Sequence, residues 1–82
     1  MNFTVYSKEF CPYCDKIKQV LEHISIANKY AVTIYELGTD FTRDQFLNEF
    51  GEGSTFPQVI IDGNNIGGCI DTIKYLQENN IL

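Results

Sequence analysis

The chain reads as a small α/β domain in which a mixed four-stranded sheet is flanked by three helices, in the order strand, helix, strand, helix, strand, strand, helix (β-α-β-α-β-β-α). Three observations predict it. Apolar residues recur at three- and four-residue spacing behind Pro12, strand-forming runs lie on either side of that stretch, and Asp62-Gly63-Asn64 supplies hairpin-turn chemistry further on. A chain of 82 residues has room for one core and not for two, so residues 1–82 are expected to form a single domain. A hydrophobic content of 44% with 13% aromatic residues favours a packed globule over a disordered chain.

Phe3, Thr4, Val5 and Tyr6 have strand propensity, and polar Ser7, Lys8 and Glu9 read as the loop that follows. A helix is expected from near Pro12 to near Asn28. Ile17, Val20, Leu21 and Ile24 share one face, and proline suits a first helical turn, where its missing N–H has no partner to lose. Ala31 to Leu37 alternates, with Val32, Ile34 and Leu37 opposed to Thr33, Tyr35 and Glu36, and predicts a second strand beside the first. Thr42-Arg43-Asp44-Gln45 fits a capping box with Phe41 and Phe46 at staple positions, so a second helix starts there and ends at Gly51 and Gly53. Pro57 precedes Gln58 to Ile61, an apolar run short enough for a buried strand, and the turn leads into Asn65-Ile66-Gly67. A last helix is placed from about Asp71, with Asp71 as its N-cap and Ile73 and Leu76 inward. A parallel first pair joined by a right-handed crossover, with an antiparallel hairpin on the other side, is the minimal thioredoxin-like arrangement. In it the loops after the first strand and before the third converge.

Six Lys and Arg against eleven Asp and Glu leave a net charge of -5, which repels phosphate backbones and argues against nucleic acid as a partner. No apolar run reaches the roughly 20 residues of a membrane span, and the first residues lack the order of a signal peptide. The expectation is a cytoplasmic monomer with no membrane association. Three cysteines, two of them within Cys11-Pro12-Tyr13-Cys14, point to redox or metal chemistry rather than a disulfide framework. At a helix start, unpaired N–H groups and the helix dipole favour the Cys11 thiolate, the attacking form, and Cys11 should be exposed while Cys14 is more shielded. Structural zinc would need two further ligands. The chain offers only Cys69 and His23, the latter off the helix's apolar face, so no metal is expected.

Cys11-Pro12-Tyr13-Cys14, Thr55-Phe56-Pro57 and Gly67-Gly68-Cys69-Ile70-Asp71, in this order and spacing, resemble a dithiol glutaredoxin over nearly the whole chain. A thioredoxin would carry Trp-Cys-Gly-Pro-Cys, and this chain has no Trp. The resemblance implies a glutathione-dependent thiol-disulfide oxidoreductase, with Cys11 as the nucleophile and Cys14 or glutathione resolving the mixed disulfide. It implies glutathione as co-substrate. The protein partners would be disulfide-containing or glutathionylated proteins, ribonucleotide reductase among them. Thr55-Phe56-Pro57 resembles the family's cis-proline loop, in which the backbone of Phe56 would pair with the cysteine part of glutathione. Gly67-Gly68 and the start of the last helix would receive the γ-glutamyl end, on the Cys69 backbone and Asp71. Lys8 would meet the glycine carboxylate, Tyr13 would pack over the ligand, and Cys69 itself reads as an inert small residue.

Two positions depart from the family pattern. Ser54 stands where a basic residue is common and Ile70 where a polar or acidic one is, which weakens the expected hold on an anionic ligand; Arg43 and Gln45 could compensate from the second helix. Two other functions share the same fold. An iron–sulfur carrier is disfavoured because cluster-binding relatives tend to have Gly or Ser where this chain has Pro12, and an electron donor served by thioredoxin reductase is disfavoured by the Gly-Gly-Cys-Ile-Asp loop.

Overall fold

A computed structural model describes residues 1–82. Its strands are β1 (Asn2–Ser7), β2 (Ala31–Glu36), β3 (Gln58–Ile61) and β4 (Asn64–Gly67), and its helices α1 (Pro12–Asn28), α2 (Arg43–Phe50) and α3 (Cys69–Glu78). The sheet order is β2-β1-β3-β4. β1 runs parallel to β2, from Asn2 opposite Ala31 to Ser7 opposite Glu36, and antiparallel to β3, from Phe3 opposite Ile61 to Tyr6 opposite Gln58. Parallel pairing with β2 draws polar Asn2 and Ser7 into the ladder, so β1 exceeds the apolar run, and its antiparallel pairing with β3, by a residue at each end.

Alternation along β1 assigns its two faces. Phe3 and Val5, with Val59 and Ile61 of β3, pack beneath Ile17, Leu21 and Ile24 of α1 and Cys69 and Leu76 of α3 in one continuous core. Each such large apolar side chain contributes about 1.5–3 kcal/mol by leaving water. Tyr6 points to the opposite face, against the rings of Tyr35, Phe41, Phe46 and Phe50. There α2 rests on aromatic side chains.

The capping box of α2 forms as the residue pattern predicts. Gln45 N–H donates to Thr42 Oγ1 at 3.2 Å, Thr42 N–H donates to Gln45 Oε1 at 2.8 Å, and the staple rings of Phe41 and Phe46 stack 5.9 Å apart. Asp62 and Gly63 both take positive φ, 50° and 85°, which makes a two-residue turn of the primed kind and starts β4 at Asn64 rather than Asn65. A bulge between Val59 and Ile60 shifts the register, pairing Val59 with Gly67 and Ile60 with Asn65.

The start of α3 differs from the expectation. The helix begins at Cys69, two residues earlier, and its N-cap is Gly68 in an extended conformation with no side-chain cap. Asp71 therefore sits inside the first turn, where a carboxylate still complements the helix dipole. Thr72 and Leu76 are the fully buried residues of the helix body and Ile73 is half-buried. Thr72 tolerates burial because its hydroxyl donates to the Gly68 carbonyl at 2.7 Å. No helix is long and apolar enough to cross a membrane.

Candidate active site

The sheet order and strand directions bring three chain segments to one end of the molecule: the exit of β1, the entry of β3 and the exit of β4. The first carries the dithiol. Cys11 is the N-cap of α1, extended at φ -126°, with Pro12 immediately inside the helix. Cys11 and Cys14 are joined in a disulfide with their Cα atoms 5.2 Å apart. Cys14 N–H donates to Cys11 Sγ at 3.2 Å, and Asp15 N–H donates to the Cys11 carbonyl at 3.0 Å. A cysteine sulfur thus occupies the place of the usual capping oxygen, where first-turn N–H groups and the helix dipole favour negative charge on it after reduction. The expected exposure of Cys11 is corrected: it is 7% exposed, against 0% for Cys14. The order of access holds, but the sulfur is tucked under the turn. Phe10, in the left-handed region at φ 54° and 98% exposed, forms the outside of that turn.

The second segment is Thr55-Phe56-Pro57, and the Phe56–Pro57 bond is cis, as the resemblance implies. Phe56 lies outside every strand, and neither its N–H nor its carbonyl takes part in the loop hydrogen bonds, so both are open to an incoming extended peptide. Its side chain does something the sequence reading did not assign. The ring stacks on Phe46 of α2 at 4.1 Å and 13°, and on Phe41 at 6.1 Å and 22°, which clamps the loop to the second helix.

The third segment is Gly67-Gly68 with the first turn of α3. Gly67 takes φ 123°, and a Cβ there would stand 2.7 Å from Asp71 Oδ2; a Cβ on Gly68 would meet the Pro57 carbonyl oxygen at 3.6 Å. Backbone conformation favours glycine at the first position, and a side chain there would also have to push Asp71 aside. At Gly68 the segment closes against the cis-proline loop. Because Gly68 has no side chain to cap α3, the first-turn N–H groups remain available to an anion.

Tyr13, Thr55, Phe56, Pro57, Gly68, Cys69 and Asp71 line one open cavity of about 200 Å³, together with Ile70. Seven of the eight residues expected to hold glutathione are thereby brought together. Lys8 is the exception: it lines the neighbouring hollow with Glu9, Phe10 and Lys18, and its Nζ lies 5.4 Å from the Phe56 ring centroid, between the two spaces. Ile70, 70% exposed, presents an apolar wall where the family more often has a polar one. Cys69 is a free, buried thiol. Burial pushes it up from its ordinary range, the Lys16 charge only partly opposing, which matches a neutral packing role.

Ser54 donates its hydroxyl to the Phe50 carbonyl at 2.8 Å and so finishes α2, a role that a basic residue would not fill in the same way. Gln45 does not reach the cavity. Its side chain is committed to the capping box and lines a separate space beside Tyr6, so it offers no compensation for Ser54. His23 is exposed on α1, and no three His, Cys, Asp or Glu side chains converge as metal ligands.

Residues 3–66 match the family model described as glutaredoxin. A glutaredoxin of Vernicia fordii is 35% identical over 84 residues, covering 99% of this chain and 77% of that one. Among solved structures, reduced Escherichia coli glutaredoxin superposes with a TM-score of 0.83 at 22% identity, covering 100% of both chains. A buckwheat glutaredoxin–glutathione complex superposes at 0.74 with 24% identity, covering 96% of this chain and 71% of that one. These two likenesses concern the fold; the family model and the Vernicia relative concern the sequence itself. With most of its length matched by that model and a relative of that name above one-third identity, this chain belongs to the glutaredoxin family.

Proposed function

We propose that the chain reduces protein disulfides and protein–glutathione mixed disulfides through Cys11 and Cys14, as a cytoplasmic monomer over the single domain 1–82 with glutathione as its reductant. The single observation that carries this reading is the convergence of Tyr13, Thr55-Phe56-Pro57 and Gly68 to Asp71 around one cavity beside the dithiol. Glutathione has two carboxylates, an ammonium group and a peptide backbone. The α3 first-turn N–H groups suit its γ-glutamyl carboxylate, Asp71 its ammonium, and the unpaired Phe56 backbone its cysteine. Lys8, whose Nζ lies 5.4 Å from the Phe56 ring centroid, would meet the remaining carboxylate. The buckwheat relative of the same fold was solved as a glutathione complex, which supports the choice of ligand.

In the reduced protein the Cys11 thiolate attacks one sulfur of a substrate disulfide, and the other sulfur leaves as a thiolate that takes a proton from solvent. With a protein disulfide, Cys14 then attacks Cys11 and releases the second substrate thiol, forming the disulfide seen in the fold. Two glutathione molecules restore the dithiol and leave as oxidised glutathione. With a glutathionylated protein, Cys11 takes the glutathionyl group and a second glutathione removes it, so Cys14 is dispensable. These exchanges need a reduced glutathione pool, which is the support for a cytoplasmic site.

The test is reduction of a small glutathione mixed disulfide and of a protein disulfide, with glutathione or thioredoxin reductase as electron source, by wild type, Cys11→Ser and Cys14→Ser. Glutathione dependence is expected, with all activity lost in Cys11→Ser. Cys14→Ser should keep deglutathionylation and lose protein-disulfide reduction. Activity in Cys11→Ser, or dependence on thioredoxin reductase alone, overturns the reading.

A further inference from the structure

A second cavity, of about 300 Å³, lies on the opposite face of the sheet, lined by Tyr6, Tyr35, Asp40, Phe41, Gln45, Phe46 and Glu49. Its floor is apolar: Phe41 and Phe46 are buried, and Tyr35 at 38% exposure forms an open wall. The rings are mutually fixed, Tyr6 lying 5.3 Å from Tyr35 and 5.1 Å from Phe41. Two carboxylates stand at the same space without a cation. The ion pairs of the chain join Lys18 to Asp15 and Glu36 only, so no cation neutralises Asp40, whose Oδ2 accepts from the Glu36 N–H at 2.8 Å, or Glu49; both residues are exposed. Glu49 lines the cavity beside Tyr6, and burial, then the Glu49 charge and its hydrogen bond to the hydroxyl, then Tyr35, push Tyr6 up from its ordinary value.

Aromatic faces are electron-rich and attract cations, most strongly where water is partly excluded and a carboxylate adds its charge. Asp40 and Glu49, exposed at the rim of the cavity, repel an anion and add their attraction for a cation to that of the rings. The volume stands at the lower end of the range for small-ligand sites, roughly 300–1,000 Å³. We propose that the cavity formed by Tyr6, Tyr35, Phe41 and Phe46 with Asp40 and Glu49 binds an organic cation, a methylated or primary ammonium or a guanidinium. The occupant's charge lies over the rings and between the two carboxylates. The site is separate from the dithiol cavity and does not rest on the glutathione reading, since none of its lining residues lines the other.

The test is amide chemical-shift titration of the oxidised protein with choline, with its neutral carbon isostere dimethylbutanol, and with sodium chloride at matched ionic strength. Saturable shifts at Tyr35, Asp40 and Glu49 with choline, and weaker binding of the isostere, are expected. Tyr35→Ala and the isosteric Glu49→Gln should each weaken choline roughly three- to fivefold with the remaining spectrum unchanged. Spermidine and a capped peptide bearing one arginine form two further arms, and the tighter of them names the source as a free amine or a protein side chain. Equal affinity for the isostere, shifts reproduced by sodium chloride, or undiminished binding by folded Glu49→Gln overturns the proposal.

Discussion

Gly67 shows how one residue is fixed by two independent demands. Its φ of 123° lies where a side chain is rarely tolerated, and a Cβ would be 2.7 Å from Asp71 Oδ2 and 3.2 Å from Asp71 Cβ. Gly68 next to it has an ordinary φ of -84° and 3.6 Å of room to the Pro57 carbonyl. Gly67→Ala is therefore expected to cost about 1–3 kcal/mol and to raise the glutathione KM by displacing Asp71. Gly68→Ala should cost less than about 1 kcal/mol. Urea midpoints and glutathione kinetics on both variants check this, and equal losses at the two positions would contradict it. Residue identity made Gly67-Gly68 legible as a close approach, but which glycine is indispensable depends on a φ that the residue string does not contain. Phe56 is similar. Its place before Pro57 was readable, whereas its stack on Phe46 requires α2 and the β3 loop to meet in space.

At the level of elements, local chemistry carried furthest. The α2 start was readable because Thr42 and Gln45 cap each other within four residues, and the β3–β4 turn because Asp62-Gly63 accepts positive φ. The start of α3 lies two residues before the one the residue pattern predicts, for a physical reason. Aspartate is a favoured cap, so Asp71 drew the boundary, yet an extended glycine can begin a helix with no side-chain bond at all. Since α2 is one short helix seated on rings, its cap has an outsized share in holding it. Thr42→Ala should destabilise the protein by about 1 kcal/mol. The loss should appear first as faster amide exchange within residues 43–50, with the α1 amides at Ile17 to Ile24 little changed. A uniform acceleration through α1 and α2 would show instead that α2 does not open separately.

For the molecule as a whole, alkaline pH is the revealing axis. The folded-state pKa values of Cys69 and Tyr6 are raised above the ordinary values of 9.0 and 10.0. Above about pH 9 the unfolded chain has lost a Cys69 proton that the native state still holds. The native state then binds more protons than the unfolded one, and stability falls as pH rises. The contribution of each group is fully present below its unfolded value and is lost on the way up to its folded one. Thermal midpoints should therefore decline above about pH 9 and more steeply above about pH 10, and Cys69→Ala should flatten the first part of that decline. An unaltered alkaline limb in Cys69→Ala would remove Cys69 as its origin. The strand directions carry a different lesson. Cys11, Pro57 and Gly68 gather at one end of the sheet, while the Asp62-Gly63 turn closes the opposite end, where Asn2 N–H donates to Asp62 Oδ1. The protein is thus divided into a working pole and an anchoring pole joined by the stiff, doubly paired β1. Substitutions at the Asp62-Gly63 turn can therefore raise or lower stability while the Cys11, Pro57 and Gly68 segments, a strand length away, keep their places.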